Sequence, residues 1–261
     1  MSPAAETLLV AQHELRTNLR SAKGVALLVL SLLGGGLTAL AFAHGANRAK
    51  PLDLSGTTVS DVAPALIAMF GLQAILRATI WLTPMLVSLI GFDAISGELQ
   101  HRSVRYWTIR SRRASFYVGK VLGLWTVIAI VTLFMDALVW LVFLTSVPGV
   151  GDVLKVGPML WLVSVPISFA WSSIASIVGS QFRAPMLALL MTWAAFFALF
   201  IAWVAGGATK IEALGYVYPN FYEDWMLSGE PKQVALGVLG CLGLGVVVTT
   251  AGAFAFARRD V

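Results

Sequence analysis

Apolar runs about twenty residues long alternate along this chain with short segments that hold most of its charge. A helix needs about 20 mostly apolar residues to cross a hydrocarbon core of about 30 Å. Six stretches meet that length: 25–43, 72–92, 121–144, 158–180, 185–205 and 234–257. The pattern predicts an all-α integral membrane protein with six transmembrane helices in a single domain over 1–261. The second stretch begins early, near Val62, and at 1.5 Å per residue its run to Phe92 is about 45 Å long. Residues 64–75 are therefore either the outer extension of a tilted helix or a separate interfacial piece.

Before the first span, Ser2-Pro3 and Glu6 form a helix start signal. Leu8, Ala11, Leu15 and Leu19 follow at helical spacing, with His13, Glu14, Arg16 and Arg20 between them. This predicts an amphipathic helix over about 3–20, lying on the membrane surface with its basic residues drawn to anionic headgroups. A secretory signal would place a cleavage site at Ala41-Phe42-Ala43. The charged lead of 24 residues and the apolar run of 19 are both too long for that class.

Composition agrees with a lipid solvent. Hydrophobic residues make up 58% of the 261 and charged residues 12%, against about 25% charged in soluble domains; mean hydropathy is +0.84. The net charge of +5 follows topology rather than a nucleic-acid footprint. Twelve of the 18 Lys and Arg residues fall in the N-terminal tail, 93–120, 179–184 and the C-terminal tail. By the positive-inside rule those segments and both termini are cytoplasmic, in what is expected to be a bacterial inner membrane. The lone Cys241 forms no internal disulfide, and His13, His44 and His101 sit in three separate polar segments, so neither a disulfide framework nor a metal centre is expected.

The 93–120 segment carries the most information. It opens Asp93-Ala94-Ile95-Ser96-Gly97-Glu98, continues through Arg102, Arg105, Tyr106, Trp107, Arg110, Arg112 and Arg113, and reaches the third span through Gly119-Lys120. Six cations with adjacent aromatics suit docking on an acidic, grooved protein surface, and rigid helices on both sides would carry a displacement into the bilayer; a solvated positive-inside loop with no partner is the alternative. Asp-x-Ile-x-Gly-Glu at the end of a second span, a basic helical stretch, an Arg seven residues before a Lys, and Gly-Lys opening the third span resemble the permease subunits of type-2 ABC exporters. The similarity is greatest to the six-span permeases of the nitrous-oxide-reductase maturation kind. It extends more weakly to the aromatic segment from Tyr216 to Tyr222 and the Arg258-Arg259 ending.

The resemblance implies a partner ATPase in two copies, which binds ATP and Mg, and a second permease chain, in a homodimer or in a heterodimer with a similar permease. It also implies that Asp93, Gly97, Glu98, Arg102, Arg105, Tyr106 and Arg113 lie at or near the ATPase contact. This chain departs from the usual pattern at Arg102-Ser103 (usually Gly-Thr), at Arg105-Tyr106-Trp107 (usually a leucine-rich turn) and at Arg110 (often Pro).

No cofactor is expected on the chain itself. A phosphate-binding loop needs Gly-x-x-x-x-Gly-Lys-Ser/Thr, and Gly119-Lys120 has Ala114 and Val121 where that motif needs Gly and Ser or Thr. Catalysis in the membrane needs paired groups, and no span holds a His; the chain is not expected to be an enzyme. Ionisable residues inside spans are costly and mark function. The two clear cases are Arg77, 16 residues before Asp93, and Asp136, 16 residues after Lys120, each about 24 Å along its helix from the cytoplasmic boundary. That level permits an ion pair between the second and third spans, at an outer gate; separate snorkelling to the headgroups is the alternative.

Ser164, Ser168, Ser172, Ser176 and Ser180 form an i+4 stripe, read as close helix packing or as the polar lining of a route, with Pro166 allowing a bend. Gly237, Cys241 and Gly245 form a second small-residue row, read as packing, and Gly34-Gly35-Gly36 a weak point or close-contact site. A gradient-driven secondary carrier and a non-transporting scaffold or immunity protein are the competing function classes.

Overall fold

The computed structural model describes residues 2–48, 53–54, 57–58, 62–146, 151–228 and 230–259. Apart from two-residue antiparallel strands at Asp53–Leu54 and Thr57–Thr58, the regular structure there is helical. Helix α1 (Pro3–Arg20) starts as the sequence directs: the Ser2 hydroxyl accepts from the Ala5 N–H at 3.3 Å, and Pro3 occupies the first turn. Helix α2 is Ala22–Arg48 and α3 is Val62–Gly91, unbroken despite Pro84, so the early start of the second apolar stretch is an extension of one helix. Two short helices follow, α4 (Ser96–Gln100) and α5 (Val104–Arg110), then α6 (Arg113–Ser146) and α7 (Gly151–Gly179). Helix α8 (Pro185–Thr209), short 3-10 turns, α9 (Glu223–Met226) and α10 (Pro231–Ala257) complete the chain.

Five segments are long and apolar enough to cross a membrane: Arg77–Gln100, Arg113–Val142, Trp161–Gly179, Pro185–Thr209 and Pro231–Ala257. At the expected first span, Pro3–Arg20 and Gly24–Leu37 meet the same criterion only as a pair, bent by 67°. Helix α7 is the hub, with 78% of its span buried against 17% for α8. It packs on α10, α6 and α3. Indole donors cross-brace α6 and α7: Trp125 Nε1 donates to the Val165 carbonyl at 3.0 Å and Trp161 Nε1 to the Ala129 carbonyl at 2.9 Å. Here tryptophan supplies large apolar area and satisfies its one N–H on a neighbouring backbone.

The small-residue rows lie at close contacts inside the bundle. The Ser164, Ser168, Ser172, Ser176 and Ser180 side chains are all buried. Ser164, Ser168 and Ser180 return their hydroxyls to the carbonyls of Trp161, Val165 and Ile177, three residues back, while the buried Ser172 Oγ lacks a hydrogen-bond partner. A Cβ on Gly245 would stand 2.5 Å from Phe169 Cδ1, and one on Gly237 2.9 Å from Met226 Cγ. In the glycine run, Gly35 and Gly36 are close contacts, since a Cβ there would lie 2.8 Å from Met135 Cγ and 2.7 Å from Leu138 Cδ2. Gly34 faces open space.

Two apolar cores result. The larger runs through the spans and includes Ile80, Val87, Ile128, Ile167, Trp171 and Cys241. The smaller closes one end of the bundle, where Val10, Ile95, Leu99, Val104, Phe116 and Phe256 bring α1, α4, α5, α6 and α10 together. The four cation-rich segments meet at that end, as the charge count requires: Arg113 Nη1 donates to the Arg259 carbonyl at 2.6 Å, and Arg259 donates to the carbonyls of Ser180 and of Gln181, the latter at 3.1 Å.

Candidate functional site

The site at this end is built on the first turns of α6. Gly119 and Gly123 lie one helical turn apart under α1. A Cβ on Gly119 would stand 2.6 Å from Val10 Cβ and 2.8 Å from the Thr7 carbonyl oxygen, and one on Gly123 2.6 Å from Glu14 Cβ. Only glycine lets the α1 backbone approach α6 so closely. The face of α1 that goes down is Glu6, Val10, Glu14 and Asn18 at i+4 spacing. Leu8 and Leu9 are exposed, and Leu15 and Leu19 are partly buried. The helix therefore does more than float on a surface: its polar line is bolted to α6, and the outward leucines are left for lipid.

Lys120 sits between the two glycines and is 4% exposed. Its Nζ lies 2.6 Å from Glu14 Oε2 on α1 and 3.1 Å from Glu98 Oε1 on α4. The remaining carboxylate oxygens are also occupied: Asn18 Nδ2 donates to Glu14 Oε1 at 2.8 Å, and the Ser103 hydroxyl donates to Glu98 Oε2. A buried ammonium is tolerable only when paired and hydrogen-bonded, and this arrangement meets that condition while tying three helices to one atom. A second tie runs from the Arg112 N–H to Glu6 Oε2 at 3.0 Å. That hydrogen bond holds the Glu6 carboxyl below its ordinary pKa, against a desolvation that would raise it.

Above the clamp, α5 has two faces. Trp107 turns in, with its ring 5.0 Å from His13 and 6.2 Å from Phe116. Tyr106 (77% exposed) and Ile109 (81%) turn out, with Arg102 and Arg105 exposed on the same segment. The Arg110 side chain lies outside the described residues. Arg102 has φ 56°, in the left-handed region that glycine adopts without strain.

Two of the expected contact residues are engaged within the chain. Glu98 faces inward to Lys120 and Ser103, because the buried lysine needs a second carboxylate. Arg113 is spent on the carbonyls of Ala257 and Arg259, closing the C-terminal end of α10. Asp93 stands half-buried at the turn after α3, and Gly97 in α4 has only an ordinary neighbour, Asp93 Cβ, at 3.6 Å from an added Cβ. Of the seven expected positions, Arg102, Arg105 and Tyr106 form the exposed surface.

The Arg77–Asp136 pair is not formed. Arg77 Nε lies 3.4 Å from Glu223 Oε1, and its Nη2 3.4 Å from Asp224 Oδ1, on the segment before α10. Asp136 is buried on α6, with Oδ2 lacking a hydrogen-bond partner. Counting residues along two helices fixes height but not which faces meet, and α3 packs mainly on α7 and α2. At the Arg77 end, Glu223 is 7% exposed, and burial pushes its carboxyl up to about 7, with Arg77 pulling it down and Asp224 pushing it up. Beside it, Tyr218 packs among Trp81, Trp171, Phe200 and Trp203, and Trp171 Nε1 donates to Asn220 Oδ1 at 2.9 Å.

Sequence reasoning missed the Glu14–Lys120 contact. Its signal was present in Glu6 and Glu14, eight residues apart and thus on one helical face, and in a lysine set between glycines at the mouth of an apolar span. Compared with known proteins, the chain matches no family model and no curated protein.

Proposed function

We propose that this chain is the permease subunit of an ATP-driven exporter of the type-2 ABC kind. In this reading it crosses a bacterial inner membrane six times, with the bent α1–α2 pair supplying the first span and both termini in the cytoplasm. ATP and Mg are held by a separate ATPase, two copies of which serve a pair of permease chains. The observation that carries the reading is the outward face of α5. An apolar knob of Tyr106 and Ile109, flanked by Arg102 and Arg105, projects from the cation-rich end. It is fastened from beneath by Trp107, and the adjoining α4 is tied through the Lys120 clamp to α1 and α6. Such a knob suits an acidic socket on a soluble partner, and its rigid mounting transmits a push into α6.

The test is co-purification from the native membrane. A chain with a phosphate-binding loop should be recovered with the wild type and lost with Arg105→Glu. If no such chain is recovered from folded protein, the reading fails. One observation favours a second reading: Asp136 keeps a buried, unpartnered carboxylate oxygen within a span, as a gradient-driven carrier requires. Uptake or efflux that needs a proton gradient, no ATP, and Asp136 would select it.

A further inference from the structure

A groove of about 520 Å³ lies between α6 and α10, floored by Phe169 of α7. Its walls are apolar, with Val118 and Leu122 on one side and Val246, Ala253 and Ala257 on the other. The two threonines along it have closed their hydroxyls internally, Thr249 on Ser173 and Thr250 on the Val246 carbonyl. From Val246 to Ala257 the α10 wall is twelve residues long, about 17 Å from first to last, close to one leaflet of a hydrocarbon core of about 30 Å. One end of the groove is at the cation-rich end of the bundle, where it is bounded by Ala114 and Ala257. Arg112 and Arg113 immediately precede the first of these, and Arg258 immediately follows the second. Arg112 and Arg258 are exposed. Arg113 is bonded to carbonyls and Arg112 feels the Glu6 carboxylate, but the described ion pairs engage Arg77 and Lys120 rather than any of the three.

We infer that this groove is a binding site for one anionic phospholipid, with an acyl chain along α6 and α10 and the headgroup on the arginines at the mouth. An apolar slot of leaflet length would be satisfied by any lipid tail. The arginine mouth makes the choice, since each arginine near an anionic headgroup favours it by about five-fold, and the exposed pair by roughly thirty-fold. Lipid binding in this groove is separate from transport. It holds for a membrane-embedded chain whether or not an ATPase is its partner.

The full chain, delipidated in dodecyl maltoside, is titrated with dioleoyl phosphatidylglycerol or dioleoyl phosphatidylcholine, and bound lipid is counted by native mass spectrometry. The wild type should take its first phosphatidylglycerol at least about ten-fold more tightly than phosphatidylcholine. R112Q/R258Q should bring the two within about two-fold without losing tail binding. T250W, at an exposed position on the groove wall, should abolish the first site for both lipids. Folding of each variant is checked by helicity and by the buried Cys241 staying unreactive to maleimide. Equal wild-type affinity for the two lipids overturns the proposal, as does a folded T250W that still binds phosphatidylglycerol normally. A lipid-free wild-type dimer that T250W converts to monomer also overturns it, because a second copy then fills the groove.

Discussion

Replacing Lys120 with methionine keeps an unbranched side chain one atom shorter and removes the charge and the hydrogen bonds that Glu14 and Glu98 share. At 2.6 Å and 3.1 Å, in an effective dielectric of about 20, each attraction is about 5–6 kcal/mol before desolvation is subtracted. The net loss is smaller, because the folded state has already taken all three groups out of water. Removing one partner of such a cluster costs about 3–5 kcal/mol, since the survivors stay buried and uncompensated. Here two like charges survive, Glu14 at 6% exposure and Glu98 at 20%. Replacing all three with Gln, Met and Gln removes the stranded charge and should recover most of the loss. The assay is reversible unfolding in mixed dodecyl-sulfate micelles, with tryptic cleavage at Arg16 and Arg20 reporting whether α1 has left α6. If Lys120→Met stays within about 0.5 kcal/mol of wild type, or the triple variant is no better than the single, the clamp is not what holds α1 down.

Gly119→Val and Gly123→Val should each lift α1, at a cost of about 1–3 kcal/mol or more, while Gly34→Ala, which meets nothing within 4 Å, should leave the melting temperature unchanged. Arg102→Gly should stabilise by about 1 kcal/mol in thermal denaturation, because it relieves the left-handed backbone at φ 56°. Glu223 has a folded pKa near 7, raised from 4.5, so the folded state binds its proton more tightly. Stability should therefore fall by about 1–3 kcal/mol as pH rises from 4.5 to 7, and Glu223→Gln should flatten that slope in melts taken across the range. Asn220→Leu should cost about 1–3 kcal/mol by leaving the buried Trp171 N–H unpaired, read as a lower denaturation midpoint.

The spans were legible because a bilayer sets a length, and apolar runs such as 185–205 and 234–257 satisfy it with almost no interruption. Which segments share an end was legible from charge alone. Arg113, Arg183 and Arg259 cluster in the count of cations by loop, and the last meets the 179–184 turn in space. The azimuth of each helix was not legible. The depth of Arg77 followed from counting residues, but its partners Glu223 and Asp224 sit nearly 150 positions away on a segment whose pattern says only loop. At α1 the apolar stripe and the face packed on α6 are different lines. Leu8 lies on its periodic stripe, yet the buried face is the Glu6, Val10, Glu14 and Asn18 line, because the neighbour across from it is a buried lysine and two glycines rather than lipid. Glu98 was singled out for its motif, and its role is set by the same lysine.

The central claim is that the outward face of α5 meets a soluble ATPase. A photo-reactive phenylalanine at position 109, activated in the native membrane, tests it most directly, since Ile109 is exposed and its removal disturbs no packing. The account predicts a single protein adduct containing a phosphate-binding loop, lost when Arg105→Glu is added and absent when the probe is moved to Leu239 on α10. Adducts to lipid alone, or to a second copy of this chain, would contradict it.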